Sequence, residues 1–123
     1  AYPFEMREGE EGTIIGLKRL FEAIQADLDS GASPGEVGWR FHRTLAEMIA
    51  VVCQQISAVT GLQTVALSGG CFQNRLLLEL AVPRLEQAGL EVLLHRDVPC
   101  NDGGISLGQA VLAHFVCGEK GRS

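Results

Sequence analysis

Apolar residues recur at helical spacing near the start of the chain. Ile14, Leu17, Leu20, Phe21, Ile24 and Leu28 share one face, which predicts an amphipathic helix from Ile14. Gly12 and Thr13 mark its start, and Ser30 and Gly31 its end. Residues 1–11 lack this period and read as an extended lead-in. Ser33 and Pro34 open a second helix, with Ser33 as N-cap and Pro34 at the first helical position, where a missing N–H breaks no bond. Val37, Phe41, Leu45, Met48, Ile49, Val52 and Ile56 give this helix a broad apolar face, and Gly61 closes it.

The period then shortens. Thr64-Val65-Ala66-Leu67-Ser68 is brief and apolar and runs into Gly69-Gly70, the pattern of a buried strand followed by a tight turn. Helical spacing returns from Asn74 to Gln87, with leucines at positions 76, 77, 78, 80 and 85. Pro83 lies inside this run and predicts a kink or break. After Gly89, Leu90 to His95 reads as a second strand and Arg96 to Asn101 as a loop. Gly103-Gly104 precedes a final helix from Ile105 to near Val116. The polar end, 118–123, reads as a flexible tail.

The order helix, helix, strand, helix, strand, helix predicts an α/β lobe. Two strands joined by a helical crossover are expected to be parallel, with a right-handed connection. A parallel sheet is ordinarily covered on both faces, and two strands are too few for one. The 123 residues therefore read as a single α/β lobe from a larger domain, or as a piece that pairs with another copy of itself.

Composition narrows the setting. Hydrophobic residues make up 46% and charged residues 20%, the balance of a folded, soluble chain. A net charge of −5 argues against nonspecific nucleic-acid binding and against anionic membrane surfaces, but not against a nucleotide in a local pocket. No apolar run is long enough to span a bilayer. Ala1 to Glu11 has neither the basic nor the apolar region of a signal peptide. Cys53, Cys71, Cys100 and Cys117 form no C-x-x-C pair, which argues against a zinc ribbon or a thioredoxin motif. Dispersed thiols read as reduced cysteines in the cytoplasm.

Two constellations carry candidate chemistry. In Ser68-Gly69-Gly70-Cys71-Phe72-Gln73-Asn74, a strand delivers two glycines to the mouth of a helix. Glycine lets backbone approach a phosphate, and free amides at a helix start favour anions. Asn74 can offer both a donor and an acceptor. The same glycines also serve if they only make the turn. In Val98-Pro99-Cys100-Asn101-Asp102-Gly103-Gly104, Asp102 stands just before a helix, where a carboxylate can cap it or can ligate a metal. Both constellations follow the C-terminal ends of the expected parallel strands, the edge at which open α/β sheets bind ligands. His95 ends the second strand beside them and can orient a substrate or make a structural hydrogen bond. His42 reads as a packed or partly exposed helix residue, and His114 has no assigned role. Cys71 and Cys100 read as small packed residues ahead of nucleophiles.

Taken together, three stretches resemble one family. These are Phe41-His42-x-Thr44-Leu45-Ala46, then Ser68-Gly69-Gly70-x-Phe72-Gln73-Asn74-Arg75-Leu76-Leu77, then His95-x-x-Val98-Pro99-x-Asn101-Asp102-Gly103-Gly104-Ile105-Ser106-Leu107-Gly108-Gln109-Ala110. They are similar, in order, to the C-terminal signature of HypF-type carbamoyltransferases, over about Gly12 to Phe115. Cysteine stands at positions 71 and 100, where the family often carries valine and proline.

The resemblance implies part of an actin/Hsp70/sugar-kinase-like (ribonuclease-H-like) domain related to TsaD. It implies the C-terminal lobe of an enzyme that takes ATP-derived carbamoyl-adenylate and passes its carbamoyl group to the C-terminal cysteine of HypE, in the cyanide-ligand synthesis of nickel–iron hydrogenases. It further implies nucleotide contacts at Ser68, Gly69, Gly70, Asn74, Gly103 and Gly104, a metal contact at Asp102, and substrate-orienting roles for His95 and Asn101. The metal implied is divalent, zinc or iron. The H-x-x-x-H pair that shares it in related domains is absent here, so those ligands are expected outside the chain and the isolated fragment is expected to be inactive. Expected partners are HypE, the upstream domains of the same protein and, through its exposed apolar helices, a second copy of the fragment. A TsaD-like lobe acting on tRNA and a noncatalytic interaction module are the alternatives.

Overall fold

The computed structural model describes residues 1–10 and 12–119, with side chains through residue 116. The described residues form β1 (Glu5–Gly9), β2 (Gly12–Gly16), α1 (Lys18–Asp29), α2 (Pro34–Thr60), β3 (Thr64–Leu67), α3 (Arg75–Gln87), β4 (Glu91–Leu94) and α4 (Ile105–Glu119). Short 3₁₀ turns at Gly70–Gln73 and Asp102–Gly104 lead into α3 and α4.

α2 is the axis of the molecule. It starts with a capping box: the Glu36 N–H donates to Ser33 Oγ at 3.3 Å, and the Ser33 N–H donates to the Glu36 carboxylate at 2.9 Å. That backbone donor, followed by the Ser33 hydroxyl, holds the Glu36 carboxyl below its ordinary pKa. The helix ends at Gly61, whose φ of 75° is the left-handed cap that glycine adopts without strain.

Two apolar clusters lie where α2 meets α3 and the sheet. Ala46 packs with Leu77 and Ala81, and Ala50 with Leu67, Leu85 and Leu90. Alanines on both helices allow a close approach of the two axes. A third cluster of Tyr2, Leu20 and Met48 joins the N-terminal segment and α1 to α2. The Tyr2 N–H donates to the buried Thr44 hydroxyl at 2.6 Å, and the Tyr2 hydroxyl donates to Asp27 at 2.7 Å. Arg40 donates to both oxygens of the same carboxylate. The Tyr2 hydrogen bond, then Arg40, holds the Asp27 carboxyl below its ordinary pKa, and burial followed by Asp27 raises that of the phenol.

β3 and β4 pair in parallel, from Thr64↔Glu91 to Leu67↔Leu94, with α3 as the crossover. The expected α/β pattern of parallel strands with flanking helices is therefore present.

Three local expectations change. The lead-in and the start of the first helix form instead an antiparallel hairpin, Met6 opposite Ile15 and Gly9 opposite Gly12. The β-branched run Thr13-Ile14-Ile15 suits a strand, so α1 starts only at Lys18. Glu11, at the edge of that lead-in, lies outside the described residues. Pro83 does not break α3. Burial of Leu77 and Leu85, about 1.5–3 kcal/mol each, offsets the roughly 3 kcal/mol cost of proline in a helix. Beside it, Arg84 Nη1 donates to the Leu80 carbonyl at 2.5 Å. Gly118 and Glu119, expected in the tail, belong to α4, while 120–123 lie outside the described residues. No helix among the described residues is long and apolar enough to cross a membrane.

Candidate functional site

The register of the parallel pair sets the site. Leu67 and Leu94 are partners, so Ser68 and His95 leave the sheet side by side, and His95 Nε2 lies 2.9 Å from Ser68 Oγ. One residue on, the Gly69 N–H donates to the Cys100 carbonyl at 2.6 Å, which fastens the first glycine loop to the second. Gly69 has φ 106° and ψ 160°, a conformation that excludes a side chain without strain. A Cβ on Gly70 would meet nothing within 4 Å, so backbone is open to approach there.

Each loop then closes on itself. In the first, the Phe72 N–H donates to Gly69 O and the Asn74 N–H to Cys71 O. Asn74 caps α3, its Oδ1 accepting from the Leu77 N–H at 3.0 Å. In the second, Asn101 Oδ1 accepts from the Gly103 N–H at 3.0 Å. The capping role considered for Asp102 thus belongs to its neighbour Asn101; the Asp102 carbonyl accepts from the Ile105 N–H, and its exposed side chain makes no hydrogen bond or ion pair among the described residues. A Cβ on Gly104 would lie 2.9 Å from the Pro99 carbonyl, so the second loop packs too tightly for anything but glycine.

Beside the loops lies a cleft of about 280 Å³ whose lining is mainly apolar, Leu67, Phe72, Leu78, Leu94, Val98 and Pro99, with Gln73, His95 and Cys100. A larger cleft, about 670 Å³, separates the hairpin from the C-terminal end of α2 and is lined mainly by apolar and uncharged residues such as Val52, Ile56 and Val59. The smaller one lies beside the two loops and is the candidate site; of the sequence-predicted site residues His95 lines it, while Ser68, Gly69, Gly70, Asn74, Asn101, Asp102, Gly103 and Gly104 do not.

Ser68 meets His95 and Gly69 meets Cys100 across the two loops, whereas Asn74 contacts α2. Its Nδ2 lies 2.9 Å from His42 Nε2, a partner that spacing did not reveal. The signal available was the Phe41-His42-x-Thr44 stretch, in which Thr44 packs inward and His42 faces the start of α3. Cys71, expected to be packed, is exposed because the 3₁₀ turn presents it outward, and Cys100 is half-buried. Cys53, on α2, packs against the core cluster of Ala50, Leu67, Leu85 and Leu90, and burial pushes its thiol pKa up.

Among the described residues, no three His, Cys, Asp or Glu side chains come together as a metal site. Asp102 supplies one carboxylate at the rim, and a metal there needs ligands from beyond these residues. For an anionic nucleotide the fit is better: open backbone at Gly70, donors at a helix start and a glycine-restricted second loop lie at one edge.

Residues 1–109 match the family model described as "Carbamoyltransferase, Kae1-like Domain, second subdomain". The chain is 42% identical over 106 residues to the carbamoyltransferase HypF of Rhizobium leguminosarum bv. viciae, covering 86% of this chain and 14% of that protein. It is 28% identical over 112 residues to the tRNA N6-adenosine threonylcarbamoyltransferase of Prochlorococcus marinus, covering 91% of this chain and 31% of that one. A crystal structure of full-length HypF in a phosphate- and nucleotide-bound form superposes with a TM-score of 0.86 at 37% identity, over 94% of this chain and 15% of its own. The chain thus spans about one seventh of that Rhizobium HypF protein and of that HypF structure.

Proposed function

Since the chain belongs to the HypF carbamoyltransferase family, as the second subdomain of its Kae1-like domain, we propose that the joined glycine loops hold the adenylate of carbamoyl-adenylate during carbamoyl transfer to the C-terminal cysteine of HypE. The observation that carries this reading is the Gly69 N–H to Cys100 carbonyl bond, with the Ser68–His95 contact beside it. Together they make one rim of two loops at the C-terminal edge of the parallel strands, where α/β sheets bind ligands.

The chemistry divides between this rim and the partner. The thiolate of HypE attacks the carbamoyl carbon and a C–S bond forms. The bond from that carbon to the phosphate oxygen breaks, and AMP leaves with the electron pair. Open backbone at Gly70 and the donors at the start of α3 favour the negative charge of the departing phosphate. Ser68 and His95 border the acyl end, and Asn101 holds the Gly103–Gly104 turn in place. A divalent metal, zinc or iron, held by Asp102 and by ligands from the rest of the protein, would supply further charge neutralisation. The free thiols Cys53, Cys71 and Cys100 support a cytoplasmic setting.

The test is Asp102→Ala in a protein of the relatives' full length. Carbamoyl transfer to HypE is expected to fall by about a hundredfold or more, while carbamoyl-adenylate formation continues. Unchanged transfer removes Asp102 from the mechanism. The likeness to a threonylcarbamoyltransferase supports a second acceptor, tRNA. The net charge of −5 disfavours it, and threonylcarbamoylation of tRNA by the same protein would establish it.

A further inference from the structure

We propose that His42 is a positioning residue for the nucleotide site: it fixes the orientation of the Asn74 amide from α2. This rests on the reading of Asn74 as a nucleotide contact. The geometry allows one arrangement of protons. His42 Nδ1 lies 2.7 Å from the Gly38 carbonyl, which only accepts, so Nδ1 carries the hydrogen. Nε2 of the neutral ring is then a lone pair, and it accepts from Asn74 Nδ2 at 2.9 Å.

The other end of the amide is equally constrained, because Oδ1 accepts from the Leu77 N–H. A free asparagine amide can turn over and exchange its oxygen and nitrogen. Here each end meets a group that tolerates only one orientation. Asn74 keeps one N–H and one oxygen lone pair for a ligand, pointing in fixed directions. The support behind His42 is rigid: α2 is anchored through Thr44, Ala46 and Ala50, all buried, and the Phe41 ring stands edge-on to the imidazole at 6.1 Å. A donor and an acceptor set in place before binding lose less freedom when the ligand arrives.

Two measurements test this. Nitrogen NMR of the histidines at neutral pH reads the tautomer without any substitution. His42 is expected with a protonated Nδ1 and a bare Nε2, and a protonated Nε2 overturns the proposal. In the full-length protein, AMP affinity is then measured by calorimetry for His42→Leu, His42→Gln and Asn74→Ala. His42→Leu is expected to weaken AMP binding about threefold to tenfold, the worth of one ordinary hydrogen bond. His42→Gln, which keeps an acceptor at similar reach, is expected to recover most of the loss. If Asn74→Ala weakens binding and His42→Leu does not, His42 has no positioning role and the nucleotide site stands. If neither does, the nucleotide reading of Asn74 fails and this proposal falls with it.

Discussion

α3 and α4 are entered in the same way and end in opposite surroundings. Each follows a strand of the parallel pair, a glycine-bearing loop and a 3₁₀ turn. α3 buries Leu77, Ala81 and Leu85 against α2 and the sheet, with Ala81 and Leu85 at 0% exposure. Every residue of α4 from Ile105 to Val116 is exposed, including Leu112 at 64% and Phe115 at 66%. The difference lies in what faces each helix rather than in how apolar it is. α2 offers α3 a matching surface of small residues, and the described residues offer α4 none.

The largest effect that can break this contrast is in the core. Leu85→Ala is expected to cost about 2–5 kcal/mol in urea denaturation, the loss for a fully buried leucine. Leu112→Ala on α4 is expected to stay within about 0.5 kcal/mol in the isolated chain. Equal losses would mean that α4 is packed.

Next come the two loop entries. Gly69→Ala is expected to cost about 1–3 kcal/mol, because φ 106° is strained for alanine. Gly70→Ala, with open space around its Cβ, is expected to cost less in the same denaturation assay. A reversed order would contradict the loop geometry. Ser33→Ala should remove about 1 kcal/mol by opening the capping box of α2, read as a lower melting temperature.

The smallest effect is a pH dependence at the N-terminal anchor. The folded pKa of Asp27 lies below its ordinary 3.8, so its contribution is present above that value and is lost as pH falls through the folded pKa. The folded pKa of Tyr2 lies above 10.0, so its contribution is full below that value and is lost as pH rises through the folded pKa. Tyr2→Phe should flatten the stability profile at both extremes. A profile unchanged by that substitution would contradict the anchor.

Much of this architecture is legible in the sequence because local chemistry and tertiary packing agree. Ser33-Pro34 is a helix start on its own terms, Gly61 an end, and Thr64 to Leu67 a strand followed by glycines. Where several fits compete, periodicity misleads. Ile14 and Leu17 fit a helical stripe, yet the β-branched run at 13–15 and the glycines at 9 and 12 close a hairpin. Pro83 marks a break that buried leucines on both sides override. At the candidate site, sequence order places both glycine loops at one edge, since strand direction decides that. It cannot reveal that Asn101 rather than Asp102 caps the turn, or that Asn74 meets His42 from 32 residues away. Those depend on side-chain directions set by long-range packing.

The central claim is that the two glycine loops form a single cradle for an adenylate. A crystal structure of the full-length protein with AMP and a divalent metal tests it most directly. The phosphate is expected between the Gly69–Gly70 bend and the Gly103–Gly104 turn, with Asn74 and Asp102 both facing the nucleotide. A nucleotide bound elsewhere, or one touched by only one of the two loops, would contradict it.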